Sequence, residues 1–311
     1  MDLPKELQAV DADFTWPDER EEHISSVLKA TLRNRASDSD KVGEKLADDI
    51  LSFVKRAENA VGVHDILWTT WSVIFDIASN RVPRHDSLIR CLCTLRQRDD
   101  SPFDGHSLDV DEPDQHSRLA RVMHTESWTG RWEDLPGFSH NLQEHWSGSI
   151  DYIGTKKVAK WKNFHSFVAR FAGRSRFAPF LTLVICLLRD VLEDVAEPGR
   201  DTPEAMETKL RVAHDWILNC GGIIFEDMTS EEALRPSTAR TRKLGPLCPQ
   251  EIGPRSVERW QFWKKRFAEF ATDTDSGRLD SSLTKVLLDT VKIMDSFEVV
   301  HSESEPDGVA E

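Results

Sequence analysis

The sequence predicts an all-α fold: one compact domain of about eight to ten helices with no significant sheet. Apolar residues recur three and four positions apart through most of the 311 residues. No stretch of useful length alternates apolar and polar residues as a half-buried strand does. Hydrophobic residues make up 39% and charged residues 30% of the chain. A chain of this size and balance can bury a core without a disulfide or a metal.

Taken in order, the periodic segments and their start and stop residues define the predicted helices. Thr202-Pro203-Glu204 offers an N-cap, a proline at the first helical position and an early acid. Ser256 is a second N-cap candidate, and Gly221-Gly222 indicates the end or a break of the helix that begins at Pro203. The helical periodicity covers 20–35, 42–61, 64–79, 85–97, 116–124, 157–173, 177–196, 203–220, 256–272 and 279–299.

The remaining segments have the composition of loops and tails. We expect residues 1–18 to be an acidic, mobile N-terminus and residues 301–311 an acidic, disordered tail. The helical domain would then run from 19 to 300. Within it, the proline-rich and basic stretch 228–255 reads as an irregular loop.

Charge is distributed unevenly along the chain. The net charge is −14, which disfavours binding of nucleic acid or an anionic membrane by the whole molecule. The segment from Arg235 to Arg266, however, contains nine basic residues and only two acidic ones, which is a local excess of seven positive charges. This segment either binds phosphate or an acidic peptide, or is a solvated loop that offsets the acidic remainder.

Cysteine usage and hydropathy indicate the compartment. The five cysteines are odd in number and irregularly spaced, and the first twenty residues are acidic and polar. These features predict a cytoplasmic or nuclear protein. The longest apolar run, Phe177–Leu188, is shorter than the roughly twenty residues that a membrane helix needs. We therefore expect no membrane association through a spanning helix.

No motif for a cofactor, a metal or a catalytic nucleophile is recognisable. Cys91-x-Cys93 lacks a second pair, and the phosphate-loop, dinucleotide and nucleophile-elbow patterns are absent. The sequence thus predicts no cofactor and no metal. The neighbouring carboxylates Glu193-Asp194 and Glu226-Asp227 point apart on a helix, which predicts solvated charges rather than an acid–base pair.

Ser256–Phe270 is the most unusual segment, because large aromatic residues are interleaved there with arginine and lysine. At 100° per residue, four of the aromatics fall within an arc of about 80°, which predicts a core-facing stripe. Arg259 lies outside this stripe. Phe262 points away from it, and so either has a second packing partner or marks an interaction surface. The stripe consists of Trp260, Trp263, Phe267 and Phe270.

A second aromatic helix covers Trp161–Phe171. Asn163 and Arg170 are seven residues apart and so align on the flank of its apolar face, where they either orient a ligand or cap a neighbouring helix. The candidate ligand-binding residues are Asn163, His165, Arg170, Asp215 and Phe262.

Four blocks of the sequence resemble a large fungal family of uncharacterised helical proteins, the domain of unknown function 3632. They lie within residues 62–297, and the last of them is the most specific. The resemblance implies a cytosolic or nuclear, all-α protein and carries no known activity or catalytic residue. The blocks are Leu67-Trp68 with Pro83 and Leu88-Ile89; Trp161-Lys162-Asn163 with Phe167-x-Ala169-Arg170; Ala213-His214-Asp215-Trp216-Ile217 with Gly221; and Gly245-Pro246 leading to Ser256-x-Glu258-Arg259-Trp260-x-Phe262-Trp263-Lys264-x-Arg266-Phe267.

Three functions are compatible with these observations. The first is an intracellular protein-interaction or scaffold module, which needs no catalytic residues. The second is a cofactor-free enzyme or small-molecule binder of a metabolic pathway, with a pocket lined by tryptophan and phenylalanine. The third is a nucleic-acid-associated protein that uses residues 235–266, and the acidic remainder makes it the least favoured.

Overall fold

The computed structural model describes residues 19–33, 38–105, 130–146, 155–196, 202–272 and 281–304. In this part of the chain there are eleven α-helices and no strand, which confirms the all-α prediction. The helices are α1 (Glu19–Arg33), α2 (Ser39–Val54), α3 (Ala60–Asn80), α4 (His85–Arg96), α5 (Phe138–Trp146), α6 (Thr155–Ser175), α7 (Leu181–Leu192), α8 (Pro203–Thr229), α9 (Pro236–Thr241), α10 (Val257–Thr272) and α11 (Ser281–Ser304).

Most predicted helices lie within a few residues of the observed ones, but α8 ends nine residues later than predicted, at Thr229. Helices α5 and α9 are short and were not predicted from periodicity. Helix α11 continues to Ser304, into the stretch predicted as a tail. The predicted helix at 116–124 and the predicted mobile N-terminus at 1–18 lie outside the described residues.

The chain divides into two compact units, Met1–Leu142 and Gln143–Glu311, and the division falls within α5. In the first unit α2 packs on α4 and α1 packs on α3. Helix α1 is amphipathic and buries Ile24, Leu28 and Leu32, which are four residues apart and so share one face. The opposite face of α1 is polar. The single domain predicted for residues 19–300 stays a prediction.

In the second unit α8 is the central helix and packs against α6, α7, α10 and α11. It does not stop at Gly221-Gly222, so the predicted break there is wrong. A Cβ atom at Gly221 would overlap the ring of Phe297 on α11. The glycines therefore open a notch that receives this ring, and helix packing outweighs their poor helix propensity.

Helices α6 and α8 approach each other unusually closely. A Cβ atom at Gly173 would collide with the carbonyl oxygen of Asn219, and the Cys220 Sγ donates to the carbonyl oxygen of Ala169 at 3.1 Å. Only a residue without a side chain permits this backbone contact. The close contact makes it possible for His165 of α6 to meet Trp216 of α8.

Candidate functional site

His165 lies inside an aromatic cluster, with 1% of its surface exposed. Its ring centroid is 4.3 Å from that of Trp146 and 4.2 Å from that of Trp161. Phe164 and Trp216 follow at 5.6 and 6.3 Å. We call these five residues the His165 cage. Trp216 and Phe164 are buried, whereas Trp146 and Trp161 are half-buried.

The hydrogen bond inside the cage fixes the protonation of the imidazole. The indole N–H of Trp216 donates to Nδ1 of His165 at 3.2 Å, so Nδ1 is the acceptor and a neutral ring carries its proton on Nε2. Burial lowers the pKa of His165 to about 3, which keeps the ring neutral at physiological pH. The buried Nε2 has no hydrogen-bond partner in the described part of the chain. An unsatisfied buried donor costs about 1–3 kcal/mol.

Two of the predicted site residues lie on the same helix but outside the cage. Asn163 and Arg170 are half-buried. They are two residues before and five residues after His165, which places them about 160° and 140° around α6 from it. The structure does not bring them together with the imidazole.

Asp215 precedes Trp216 in α8 and is half-buried. Burial raises the pKa of its carboxyl, and the nearby charges of His214 and Lys162 partly offset that shift. Lys162 in turn follows Trp161 in α6. Asp215 of α8 therefore interacts electrostatically with Lys162 of α6.

Phe262 is half-buried on α10 and, within the described residues, has no ring contact with the cage. The stripe on the same helix is partly confirmed: Trp260, Trp263 and Phe267 are fully buried. Phe270 is half-buried instead, under the guanidinium of Arg266. Phe262 is accordingly not on a fully exposed surface.

A second polar group is buried in the same unit, around Glu193 at the end of α7. Both Glu193 and Arg259 are 0% exposed, so the predictions of a solvated carboxylate and of an arginine off the core are wrong. Glu193 accepts hydrogen bonds from Arg259 Nε at 2.7 Å, from Trp263 Nε1 at 2.6 Å and from the backbone N–H of Gly245 at 2.7 Å. We call these four residues the Glu193 cluster.

The sequence contains a hint of this cluster. Arg259 and Trp263 are four residues apart and therefore lie on one helical face, with the guanidinium 5.2 Å from the indole centroid. An arginine on a tryptophan face needs a buried acceptor if both are in the core. Which carboxylate supplies it could not be read from the sequence, because Glu193 is remote along the chain.

Much of the basic segment is held by internal bonds of this kind. Arg259 also donates to the carbonyl oxygens of Arg242 at 2.7 Å and Pro254 at 2.8 Å. Arg242 and Arg255 both bond the carboxylate of Asp227, which is itself nearly buried. Six of the nine bases form ion pairs with acids of the same chain: Arg242, Arg255, Arg259, Lys264, Lys265 and Arg266. The basic loop as a site for an acidic peptide stays a prediction.

The first unit has an open groove between α1 and α3, with a volume of about 490 Å³. Acidic side chains lie at the start of α1, serines follow, and bases lie near its end. Sequence reasoning did not single out these residues, although their spacing of three to four is visible in the polar face of α1. They include Glu22, Ser25, Lys29 and Arg33 of α1 and Ser72 and Asp76 of α3.

Within the described residues, no group of histidine, cysteine, aspartate and glutamate side chains could hold a metal ion. The five cysteines are free thiols. Burial raises the pKa of Cys220 to about 12 and that of Cys248 to about 11, so neither provides a thiolate nucleophile at neutral pH. No helix in the described ranges has the length and apolar character needed to cross a bilayer.

Comparison with known proteins identifies one family. No curated protein and no solved structure matches this chain. The model of a protein family of unknown function, DUF3632, matches residues 71–267. The match contains the His165 cage and the Glu193 cluster, whereas α1 lies outside it. Since the match covers more than half of the sequence, the chain belongs to the DUF3632 family.

Proposed function

We propose that the protein is a protein-interaction module that binds a polypeptide segment in the groove between α1 and α3. The observation that supports this is the groove itself, whose volume of about 490 Å³ lies within the usual size range of binding sites. It is open to solvent and lined by charged and hydroxyl side chains, which suits a polar chain segment better than an apolar small molecule.

The charges in the groove define the partner. Glu22, Lys29 and Arg33 have no ion pair or hydrogen bond within the described residues, so their charges are available to a partner. Glu22 and Lys29 are separated by about 10 Å along the helix axis, and Glu22 and Arg33 by about 16 Å. An extended peptide advances about 3.3 Å per residue. We therefore expect a partner with a basic and an acidic side chain about three to five residues apart.

Other features are compatible with an intracellular binding protein. A cytoplasmic or nuclear location is part of the proposal and is supported by the five free cysteines. A nucleic-acid role has less support, because most bases between Arg235 and Arg266 are already paired with acids of the same chain. A metal-dependent enzymatic role has less support, because no group of side chains among the described residues could hold a metal ion.

Labelled synthetic peptides test the proposal. Peptides with one lysine and one glutamate four residues apart are compared with peptides of the same composition in which the two are adjacent, by fluorescence anisotropy at low salt. We expect the spaced peptide to bind at least about five-fold more tightly, and added salt to weaken its binding.

Charge reversal locates the site. The double variant Lys29→Glu, Arg33→Glu should abolish the preference for the spaced peptide. Lys41→Glu, an equivalent change at an exposed lysine of α2, should leave it intact. Equal binding of both peptides to the wild-type protein, or an unchanged preference in the double variant, would exclude the groove as the binding site.

A further inference from the structure

The tautomer of His165 leaves one donor available at the centre of the His165 cage. Trp216 donates to Nδ1, so the ring hydrogen is on Nε2. That atom is buried and has no acceptor in the described part of the chain. Buried donors are almost always bonded to protein or to ordered water, so this unmet donor is free to bond an acceptor on a bound molecule.

The walls of the cage differ in how firmly they are held. Four buried tryptophans are anchored through their indole N–H groups: Trp71 to Pro136, Trp216 to His165, Trp260 to Glu298 and Trp263 to Glu193. Trp146 and Trp161 are half-buried, and neither indole N–H bonds a described residue. The two tryptophans of the cage that are partly exposed are therefore held by no indole hydrogen bond to a described residue.

From this arrangement we infer that the His165 cage is a binding site for an uncharged, mainly apolar molecule with an oxygen that accepts the Nε2–H of His165. Trp146 and Trp161 move aside to admit it and then cover it. The aromatic walls favour a flat apolar body through ring stacking. The single donor requires an acceptor such as a carbonyl oxygen.

Electrostatics restricts the class of ligand to neutral molecules. The imidazole is uncharged because burial disfavours its protonated form, and no neighbouring charge contributes to this effect. A carboxylate or phosphate would lose its hydration in the cage without gaining a counter-charge there. Such anions are therefore excluded, and the inference is independent of the charged groove in the other unit.

Acetophenone and α-methylstyrene form a matched pair of probes, because they have the same shape and differ by a carbonyl oxygen in place of a methylene. Binding to the full chain is followed by tryptophan fluorescence and by the ¹H–¹⁵N signal of His165 Nε2–H. We expect acetophenone to bind about ten-fold more tightly, as one hydrogen bond predicts, and to shift the Nε2–H signal.

A variant tests whether His165 makes the difference. In His165→Phe both probes should bind equally, because the ring remains and the donor is lost. His23→Phe makes the same exchange at an exposed histidine of α1 and should behave as the wild type. Equal affinity for the two probes in the wild-type protein, absence of binding by both, or an Nε2–H signal that acetophenone does not move would each overturn the inference. The last measurement needs no variant, so it holds even if His165→Phe fails to fold.

Discussion

The His165 cage and the Glu193 cluster both place an ionisable side chain among tryptophans in the same unit, yet their hydrogen bonding differs. Glu193 receives bonds from Arg259, Trp263 and Gly245. His165 accepts one bond and leaves its Nε2 without a partner. A buried carboxylate is tolerated only when paired and fully hydrogen-bonded, whereas a histidine can shed its charge. The saturated cluster is therefore structural, and the unsaturated cage retains capacity to bind.

The largest expected effect comes from removing the buried carboxylate. Glu193→Ala leaves Arg259 charged, buried and unpaired, so we expect the free energy of unfolding to fall by about 3–5 kcal/mol. Urea denaturation measures this loss. Glu226→Ala is the control, because that carboxylate is exposed and its pair with Arg176 is worth about 0–1 kcal/mol. A loss below about 1 kcal/mol at Glu193 would contradict the structural role of the cluster.

Lowering the pH should reveal that His165 is buried as a neutral imidazole. The pKa of His165 is about 3 in the fold and 6.5 in its ordinary state, so the unfolded chain binds more protons between these values. Its contribution to stability is complete above pH 6.5 and is lost as pH falls towards 3, by at most about 1.4 kcal/mol per pH unit.

The measurement compares the unfolding free energies of the wild-type protein and His165→Phe from pH 7 to pH 4. The wild type should lose stability faster than the variant, while other titrating groups act on both. Parallel pH dependences would mean that His165 is not held neutral.

Paired tryptophan substitutions measure the two indole hydrogen bonds separately. Trp263→Phe removes a donor to a carboxylate, for which we expect a loss of about 1.5–3 kcal/mol. Trp216→Phe removes a donor to a neutral ring, and about 0.5–1.5 kcal/mol should be lost. Chemical denaturation gives both values. The ¹⁵N chemical shifts of His165 should also show a mixed tautomer in Trp216→Phe, and an unchanged tautomer would refute the assigned hydrogen bond.

The smallest effect is expected at an exposed base of the same basic segment. Arg240 is exposed, so Arg240→Ala should change the unfolding free energy by less than about 0.5 kcal/mol. Thermal or urea unfolding is sufficient to detect a larger change. A loss above 1 kcal/mol would show that the loop depends on more of its bases than those paired with Glu193 and Asp227.

Elements of the fold with strong periodicity were predictable, and elements defined by remote contacts were not. The apolar stripe of α10 follows from the spacing of Trp260, Trp263 and Phe267, which the structure buries. The continuation of α8 through Gly221-Gly222 depends on Phe297, a residue of another helix. A rule based on the local sequence around the two glycines cannot include Phe297, which contacts them only after the chain has folded.

The candidate site residues also divide into those that the sequence indicated and those whose contacts only the structure could show. The sequence indicated His165 and Asp215 but placed them in one candidate site with Asn163 and Arg170. The spacing of residues along one helix does not show which other helix packs against each of its faces. Glu193 was misread for a related reason. Two adjacent carboxylates do point apart, as expected, but one of them points into the protein, where Arg259 meets it.

By itself, the sequence determined that the chain is all-helical, that its aromatic residues form helix faces, and that it has the characteristic blocks of its family. These properties depend on periodicity and composition, which are local. Only the tertiary structure decided which polar side chains are buried, which of their atoms are satisfied, and which tryptophans are anchored. Those properties depend on contacts between remote residues, and burial makes each missing hydrogen bond costly enough to matter.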